Sequence, residues 1–183
     1  SAAKYWHFIK LMGRSASHIT LEVALQTQVN LTLIGEEVAE KKMTLRQLVK
    51  EIADVVEKRS RAGKSYGVAL VPEGLIEFIP EIGKLIASLN DLLAAHADEF
   101  AACANLPAQS AWLGSHLSAE LKVLFAGLPE SIQKQLLADR DPHGNVQVSL
   151  IQTEQLLGEL VAAEMKKRGV KFSFLHHFFG YDG

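Results

Sequence analysis

The feature that most constrains the fold is a nearly uniform apolar run at Gly67–Val71, bounded by Tyr66 and Pro72. A strand with apolar side chains on both of its faces must be covered on both sides, and this pattern is typical of parallel sheets. The apolar run Tyr5–Leu11 predicts another buried strand, and Leu31–Ile34 predicts a short one. Helical segments separate these runs. The alternation predicts a layered α/β domain, with a mostly parallel sheet flanked by helices and joined by right-handed crossovers.

Two helices are predicted between the strands. Ser17 fits an N-cap, and the apolar residues that follow it to Gln28 have helical spacing. Thr44 and Gln47 fit a capping box at the start of the second helix, and Gly63 fits its end. Between the two helices, the paired carboxylates Glu36 and Glu37 could bind a metal or act as acid and base, but with no histidine nearby they are interpreted as part of a solvated loop. The second helix has one apolar stripe, made of Leu45, Leu48, Val49, Ile52, Val55 and Val56.

The alternation stops between residues 80 and 145, where the pattern predicts three helices. Pro80 fits the first turn of one helix, a second is predicted across Trp112–Phe125, and a third contains Ile132–Leu137. We therefore expect a helical insertion at residues 80–145 within an α/β domain formed by residues 1–79 and 146–183. The insertion ends in a segment rich in Asp, Pro and Gly, which favours a turn over a metal cluster of Asp139, Asp141 and His143.

The alternation resumes near the end of the chain. A helix with an apolar stripe through Leu156 and Met165 is predicted to end at Lys166-Lys167-Arg168 and Gly169, where basic side chains complement the carbonyl end of the helix. Phe172–Phe179 predicts the last strand. The adjacent His176 and His177 would then point to opposite sides of the sheet, so they do not share a metal ion.

Composition excludes several classes of function. The 183 residues carry a net charge of −2, which gives no reason to expect binding to nucleic acid or to an anionic membrane. The longest apolar runs are shorter than a membrane span, and no signal peptide opens the sequence. The single cysteine, Cys103, fits a reducing, cytoplasmic compartment and is interpreted as a small buried apolar residue. A chain that opens directly on a core strand suggests a domain of a longer protein.

Two strand ends carry candidate functional residues. The first strand ends at Met12-Gly13-Arg14, and small hydroxyl residues follow. A helix that begins there presents free N–H groups to an anion, and Arg14 could clamp a phosphate; the alternative is an ordinary turn with a solvated arginine. The strand Gly67–Val71 ends at Pro72-Glu73-Gly74. The Glu73 carboxylate could accept hydrogen bonds from sugar hydroxyls or could cap the following turn.

These segments resemble a known family. The block Met12–His18, MGRSASH, together with the earlier Lys4-Tyr5, resembles the sugar-phosphate segment of phosphofructokinases, and its Ser-Ala-Ser-His part resembles the pyrophosphate-dependent branch. Pro72–Leu75 and His177–Gly183 follow in the order expected for that family. The resemblance covers nearly the whole chain and implies a phosphofructokinase-like fold. The helical insertion resembles the extra segment of long-form pyrophosphate-dependent enzymes.

The resemblance implies a glycolytic reaction, in which pyrophosphate and Mg²⁺ convert fructose 6-phosphate to fructose 1,6-bisphosphate by transfer to its 1-hydroxyl. Phosphoryl transfer depends on the positioning of the reacting groups and on neutralisation of the charge on the phosphoryl group. Arg14 would neutralise charge on the transferring phosphoryl group, Met12 and Gly13 would shape the sugar site, and Glu73 would hold sugar hydroxyls. On strand-end spacing alone the role of a cap is favoured for Glu73; the family match reverses this preference in favour of the sugar.

The 6-phosphate would be bound by residues near both ends of the chain. Lys4 and Tyr5 match a pair that family members offer to the neighbouring subunit's site, which implies a homodimer. The last three residues, Tyr181, Asp182 and Gly183, match the start of a motif whose final arginine meets the same phosphate, although family members usually have Glu where this chain has Asp182. Val29 stands where the family generally has proline.

Important catalytic parts are expected outside this sequence. These are the Gly-Gly-Asp-type loop that binds pyrophosphate and Mg²⁺ and the Thr-Ile-Asp-type loop that supplies the general base, so no metal ligand is assigned in this chain and the chain alone is expected to be inactive. Two alternatives remain open: a non-catalytic regulatory subunit of the same family, and an ATP-dependent 6-phosphofructokinase. The intact Met12-Gly13-Arg14 and Glu73 argue against the first, and the Ser-Ala-Ser-His block argues against the second.

Overall fold

The computed structural model describes residues 4–12, 29–138 and 140–179. The chain divides into two compact units, one formed by Ser1–Ile79 with Gln152–Gly183 and the other by Pro80–Ile151. The strands are β1 (Trp6–Leu11), β2 (Leu31–Thr32), β3 (Gly67–Pro72) and β4 (Phe174–Phe179). The helices are α1 (Gly35–Glu40), α2 (Leu45–Arg61), α3 (Pro80–Ala95), α4 (Ala97–Ala101), α5 (Leu106–His116), α6 (Ala119–Gly127), α7 (Glu130–Ala138) and α8 (Thr153–Arg168), and 3-10 turns occur at Leu75–Phe78 and Val148–Leu150.

The first unit is built on a four-stranded sheet in the order β2-β3-β1-β4. All of its neighbouring strands run parallel, with Trp6 of β1 opposite both Gly67 of β3 and Phe174 of β4. The predicted α/β class with a parallel sheet is therefore confirmed. β2 has only two residues, fewer than the predicted Leu31–Ile34: the Leu33 N–H still donates to the Leu70 carbonyl at 3.0 Å, and Ile34 is the N-cap of α1.

The helices α2 and α8 pack against each other in this unit. The predicted capping box of α2 is present: the Thr44 hydroxyl accepts from the Gln47 N–H at 3.1 Å, and the Gln47 side chain accepts from the Thr44 N–H at 3.0 Å. Arg168, at the end of α8, donates to Asp54 and Glu57 of α2 at 2.8 and 3.0 Å. The basic end of α8 therefore joins the two helices as well as complementing its own dipole.

One face of β1 is fully covered. Trp6 and Phe8 are 1% and 0% exposed, and the Phe8 ring makes edge-to-face contacts with Phe172 and Phe174. A side-chain carbon placed on Gly158 of α8 would collide with the Phe174 ring, so α8 lies very close to β4. Glycine at position 158 is what permits this close approach.

The second unit, Pro80–Ile151, contains α3 to α7, and its described regular structure is helical apart from an isolated antiparallel bridge between Arg140 and Val146. The prediction of one helix across Trp112–Phe125 is wrong. The chain forms α5 and α6 instead, because Leu117 is extended and the Ser118 hydroxyl accepts from the Leu121 N–H as the N-cap of α6. The break between α5 and α6 was not predicted because the apolar residues keep a helical spacing across it.

Two smaller predictions also need correction. Glu36 and Glu37 do not form a solvated loop: they occupy the first turn of α1, exposed to solvent, where carboxylates are favoured by the helix dipole. Cys103 is half-buried rather than buried, since it lies after α4, a short helix with no buried residue.

The predicted turn near residue 141 is confirmed. The Asp141 carboxylate accepts from the backbone N–H groups of His143 and Asn145, both at 2.9 Å, and Gly144 has a φ of 84°. Asp139, the remaining member of the alternative metal cluster, lies outside the described residues. Within residues 4–12, 29–138 and 140–179, none of the helices is both long enough and apolar enough to cross a membrane.

Candidate functional site

Three strand ends meet at the carboxyl edge of the sheet in the first unit. The Glu73 N–H donates to the Leu11 carbonyl at 2.8 Å, and the Met12 N–H donates to the Phe179 carbonyl at 3.2 Å. These bonds hold the residues that follow β3, β1 and β4 beside one another. The carboxyl edge is where open parallel sheets place their ligands.

Glu73 and Met12 are therefore neighbours at this edge. Gly74 follows Glu73 with a φ of 79°, a left-handed conformation that favours glycine, and the chain then enters the 3-10 turn Leu75–Phe78. This turn directs the chain away from the sheet directly after the carboxylate. Gly13 and Arg14 are joined to Met12 in sequence, but they lie outside the described residues, and so do Tyr181, Asp182 and Gly183.

Lys4 and Tyr5 are not brought to this edge. They precede β1, at its amino end, where the Tyr5 carbonyl accepts from the Gly67 N–H at 3.4 Å. The six residues of β1 span about 20 Å of strand. Lys4 and Tyr5 therefore lie at the amino ends of the strands, and Glu73 lies at their carboxyl ends. Within one chain, Lys4 and Tyr5 do not join Met12 and Glu73 in one site.

Sequence reasoning missed a buried charged group behind the carboxyl edge. Lys10 of β1 is only 4% exposed, on the same face as Trp6 and Phe8, and its Nζ lies 4.0 Å from an oxygen of Glu154 in α8. The ammonium group also lies 4.6 Å from the centre of the Phe178 ring. Trp6, Phe8 and Lys10 are every second residue of the strand, so their side chains lie on one face. A lysine that continues a row of aromatic side chains is the sequence signal that could have indicated its burial.

The charges around Lys10 connect this group to Glu73. Burial lowers the pKa of Lys10 below its ordinary value of 10.5, and the negative charges of Glu154 and Glu73 oppose that shift. The other oxygen of Glu154 accepts from the Gln155 N–H and contacts His176 Nδ1, both at 3.2 Å. Lys10 and Glu73 therefore interact electrostatically behind this edge.

The two histidines of β4 point to opposite faces, as predicted. His176 contacts Glu154 of α8, whereas His177 Nε2 lies 3.0 Å from Nδ1 of His7 on the other face of β1. The two therefore do not share one ligand.

The described residues of the carboxyl edge do not fit a Mg²⁺ ion. Magnesium prefers several oxygen ligands, often from carboxylates. Among the described residues, the group of three side chains whose possible metal-ligand atoms lie close together is His96, Glu99 and His116, and it does not include Glu73. The Glu73 carboxylate can instead accept hydrogen bonds from neutral hydroxyl groups.

Comparison with known proteins identifies relatives of the chain by sequence. No family model matches the chain. It is 53% identical over 185 residues to a pyrophosphate–fructose 6-phosphate 1-phosphotransferase of Entamoeba histolytica and 54% identical over 189 residues to one of Treponema pallidum. It is also 51% identical over 189 residues to the beta subunit of the Solanum tuberosum enzyme of that name. Each alignment includes the whole chain but only 34%, 33% and 32% of the relative.

The four-stranded parallel sheet and its flanking helices are those of an α/β protein and are consistent with a phosphofructokinase-like fold. Within that class, the chain is homologous to part of the enzymes named pyrophosphate–fructose 6-phosphate 1-phosphotransferase, at about 50% identity. It spans about a third of the length of the curated relatives that it matches.

Proposed function

We propose that this chain forms the sugar-phosphate side of an enzyme that transfers a phosphoryl group from pyrophosphate to the 1-hydroxyl of fructose 6-phosphate. The observation that carries the proposal is the pair of hydrogen bonds that holds Glu73 beside Leu11 and Met12 beside Phe179. It brings together two of the segments that resemble the phosphofructokinase sugar site. The relatives' shared name supplies the two substrates.

Each residue has a role that follows from its chemistry. The Glu73 carboxylate accepts hydrogen bonds from sugar hydroxyls, and charge-assisted bonds of this kind are stronger than neutral ones. Met12 and Gly13 form the wall of the sugar site, and Arg14 neutralises charge on the phosphoryl group as it transfers. Tyr181, Asp182 and Gly183 contribute near the 6-phosphate.

We assign the remaining parts of the reaction to residues outside this chain and to a second copy of the chain. Mg²⁺ supplies charge neutralisation on pyrophosphate when bound, and its ligands are not among the described residues at the edge. Lys4 and Tyr5, at the opposite edge from Glu73, serve the site of a second copy, so the working form is a homodimer. The enzyme works in the cytoplasm, where the single cysteine of this sequence fits the reducing conditions.

Binding of fructose 6-phosphate to the isolated chain tests the substrate assignment. In a chemical-shift titration, the amide signals of Met12 and Glu73 should move most. Glu73→Gln should weaken binding by about tenfold, because it removes a charge-assisted hydrogen bond. The matched control is Glu77→Gln, an exposed carboxylate of the next turn that should leave binding unchanged. Shifts centred away from the carboxyl edge, or equal binding by both variants, would reject the assignment.

A turnover assay tests the proposal that some of the catalytic parts lie outside this chain. With pyrophosphate, Mg²⁺ and fructose 6-phosphate, the 183-residue chain should release no fructose 1,6-bisphosphate, because the general base and the pyrophosphate loop are assigned elsewhere. Detectable product from the purified chain would show that these parts are present and that the assignment is wrong.

A further inference from the structure

Three side chains that bind metals meet in the helical unit. His96 directly precedes α4, Glu99 lies within α4, and His116 is the last residue of α5. One ring nitrogen of each histidine and one carboxylate oxygen of Glu99 all lie within 4.8 Å of one another. His96 is half-buried, and the other two are exposed.

Hydrogen bonds around this cluster leave ligand atoms available. His116 Nδ1 lies 2.8 Å from the Trp112 carbonyl, which can only accept, so Nδ1 carries the proton and Nε2 has the lone pair that a metal needs. The Trp112 indole N–H donates to Glu99 Oε2 at 3.2 Å, and the second oxygen, Oε1, lies 3.7 Å from His96 Nδ1. Trp112 thus orients both His116 and Glu99.

The His96 side chain is held in place by ring contacts. It makes an edge-to-face contact with Trp112, with ring centres 5.7 Å apart, and its centre lies 5.2 Å from that of His116. It precedes α4 but does not cap it with a side-chain hydrogen bond. The imidazole therefore lies beside the other two ligands without serving as the cap of the helix.

We propose that His96, Glu99 and His116 bind one divalent transition-metal ion of the Zn²⁺ type. Two ligands of a tetrahedral Zn²⁺ ion, each at about 2.0–2.1 Å from the metal, are about 3.3 Å apart. The 3.7 Å separation of His96 from Glu99 is close to this value, and rotation of the exposed side chains closes the rest. Two imidazoles with one carboxylate favour Zn²⁺, Ni²⁺, Co²⁺ or Cu²⁺ over Mg²⁺ and Ca²⁺.

The ion would link α4 to the carboxyl end of α5 and leave a coordination position for water. α4 has only five residues and none of them is buried, so its contacts with the rest of the unit are few and the ligands would fix it in place. This site differs from the sequence prediction, which assigned no metal ligand in this chain. It does not depend on the proposed sugar-phosphate function, since all its residues belong to the other unit.

Metal titration of the 183-residue chain tests the proposal. The rings of Trp112 and His116 are stacked with centres 4.0 Å apart, so Ni²⁺ on His116 should quench the fluorescence of Trp112. The only other tryptophan, Trp6, is 1% exposed in the other unit and should give a constant background. Calorimetry with Zn²⁺ should give one ion per chain, whereas Mg²⁺ at the same concentration should neither quench nor compete.

Conservative variants separate metal binding from helix packing. His116→Asn keeps an amide donor for the Trp112 carbonyl but removes Nε2, and Glu99→Gln keeps an acceptor for the indole N–H but removes the charge. Each should weaken Zn²⁺ binding at least about tenfold and reduce the Ni²⁺ quench. The matched controls are His143→Asn and His177→Gln, which should bind as the parent chain does.

Three outcomes would overturn the proposal: no saturable binding, binding that His116→Asn leaves unchanged, or binding that only His177→Gln abolishes. The last would assign the metal to the His7–His177 pair, whose nitrogens lie 3.0 Å apart. Circular dichroism checks that each variant keeps its helix content. If His116→Asn loses helix, His96→Gln removes a ligand from a different element and gives the same comparison.

Discussion

Replacing Lys10 by methionine should destabilise the sheet-containing unit by about 3–5 kcal/mol, the usual cost of removing one partner from a buried ion pair. The side chains of Lys10 and Glu154 are 5% and 2% exposed, and their charged atoms are 4.0 Å apart. At that distance, with an effective dielectric constant of about 20, the attraction is about 4 kcal/mol. Among the described residues, Glu154 Oε1 has no hydrogen-bond partner, so the variant leaves a buried carboxylate oxygen without compensation.

The double variant Lys10→Met with Glu154→Gln should be within about 1 kcal/mol of the parent protein, because the loss of both charges also removes their desolvation cost. The introduced glutamine amide is neutral, so no unpaired charge would remain in the interior beside the methionine. The two single changes should therefore be strongly non-additive, with a coupling energy of about 3 kcal/mol.

Urea unfolding followed by Trp6 fluorescence measures these differences, because Trp6 is buried on the same strand as Lys10. All the variants would carry Trp112→Phe, so that the emission reports the sheet-containing unit alone. Lys50→Met, at an exposed position of α2, is the matched control and should change the unfolding free energy by no more than about 0.5 kcal/mol. A cost below about 1 kcal/mol for Lys10→Met, or a double variant as unstable as the sum of the singles, would refute the reasoning.

Two further predictions concern the packing of α8 and the charges on α2. Gly158→Ala should destabilise the protein by about 1–2 kcal/mol in urea unfolding, because the clash with the Phe174 ring exceeds the gain in helix propensity. In a Phe174→Ala background the same substitution should stabilise the protein, because the ring is gone. An effect of the same sign in both backgrounds would contradict the clash. The hydrogen bond from Arg61, with a further bond from Arg168, lowers the pKa of Glu57 below its ordinary value of 4.5. The ionised Glu57 carboxylate therefore stabilises the folded protein fully above pH 4.5, and this stabilisation is lost as the pH falls through the folded-state pKa. The stability difference between the parent protein and Glu57→Gln should therefore shrink from about pH 6 to about pH 3, and a constant difference would show that the ion pair is not responsible.

The sequence predicted those elements whose signals are local. The capping box of α2 requires only Thr44 and Gln47, three residues apart, and both of its hydrogen bonds are present. Gly169 ends α8 in a left-handed conformation with a φ of 69°, as its place after a basic last turn indicated. Strands β1, β3 and β4 also begin or end within two residues of their predicted limits, because their apolar runs are bounded by turn residues.

The elements that were missed depend on contacts between distant parts of the chain. The pairing of Lys10 with Glu154 joins two residues near opposite ends of the sequence, and nothing near either residue indicates the other. The break between α5 and α6 was missed because the apolar spacing continues through Leu117. At the carboxyl edge, the resemblance located Met12 and Glu73, but only the parallel register of β3 and β1 shows that they are neighbours.

The position of β4 as an outer strand of the sheet has a practical consequence. Among the described residues, its outer side faces no further strand, and Phe178 and Phe179 are 54% and 61% exposed. Such a strand is a template onto which another extended chain can add through backbone hydrogen bonds. Concentrated solutions of the 183 residues alone should aggregate through this strand, so biophysical measurements on them need low protein concentrations and a light-scattering check.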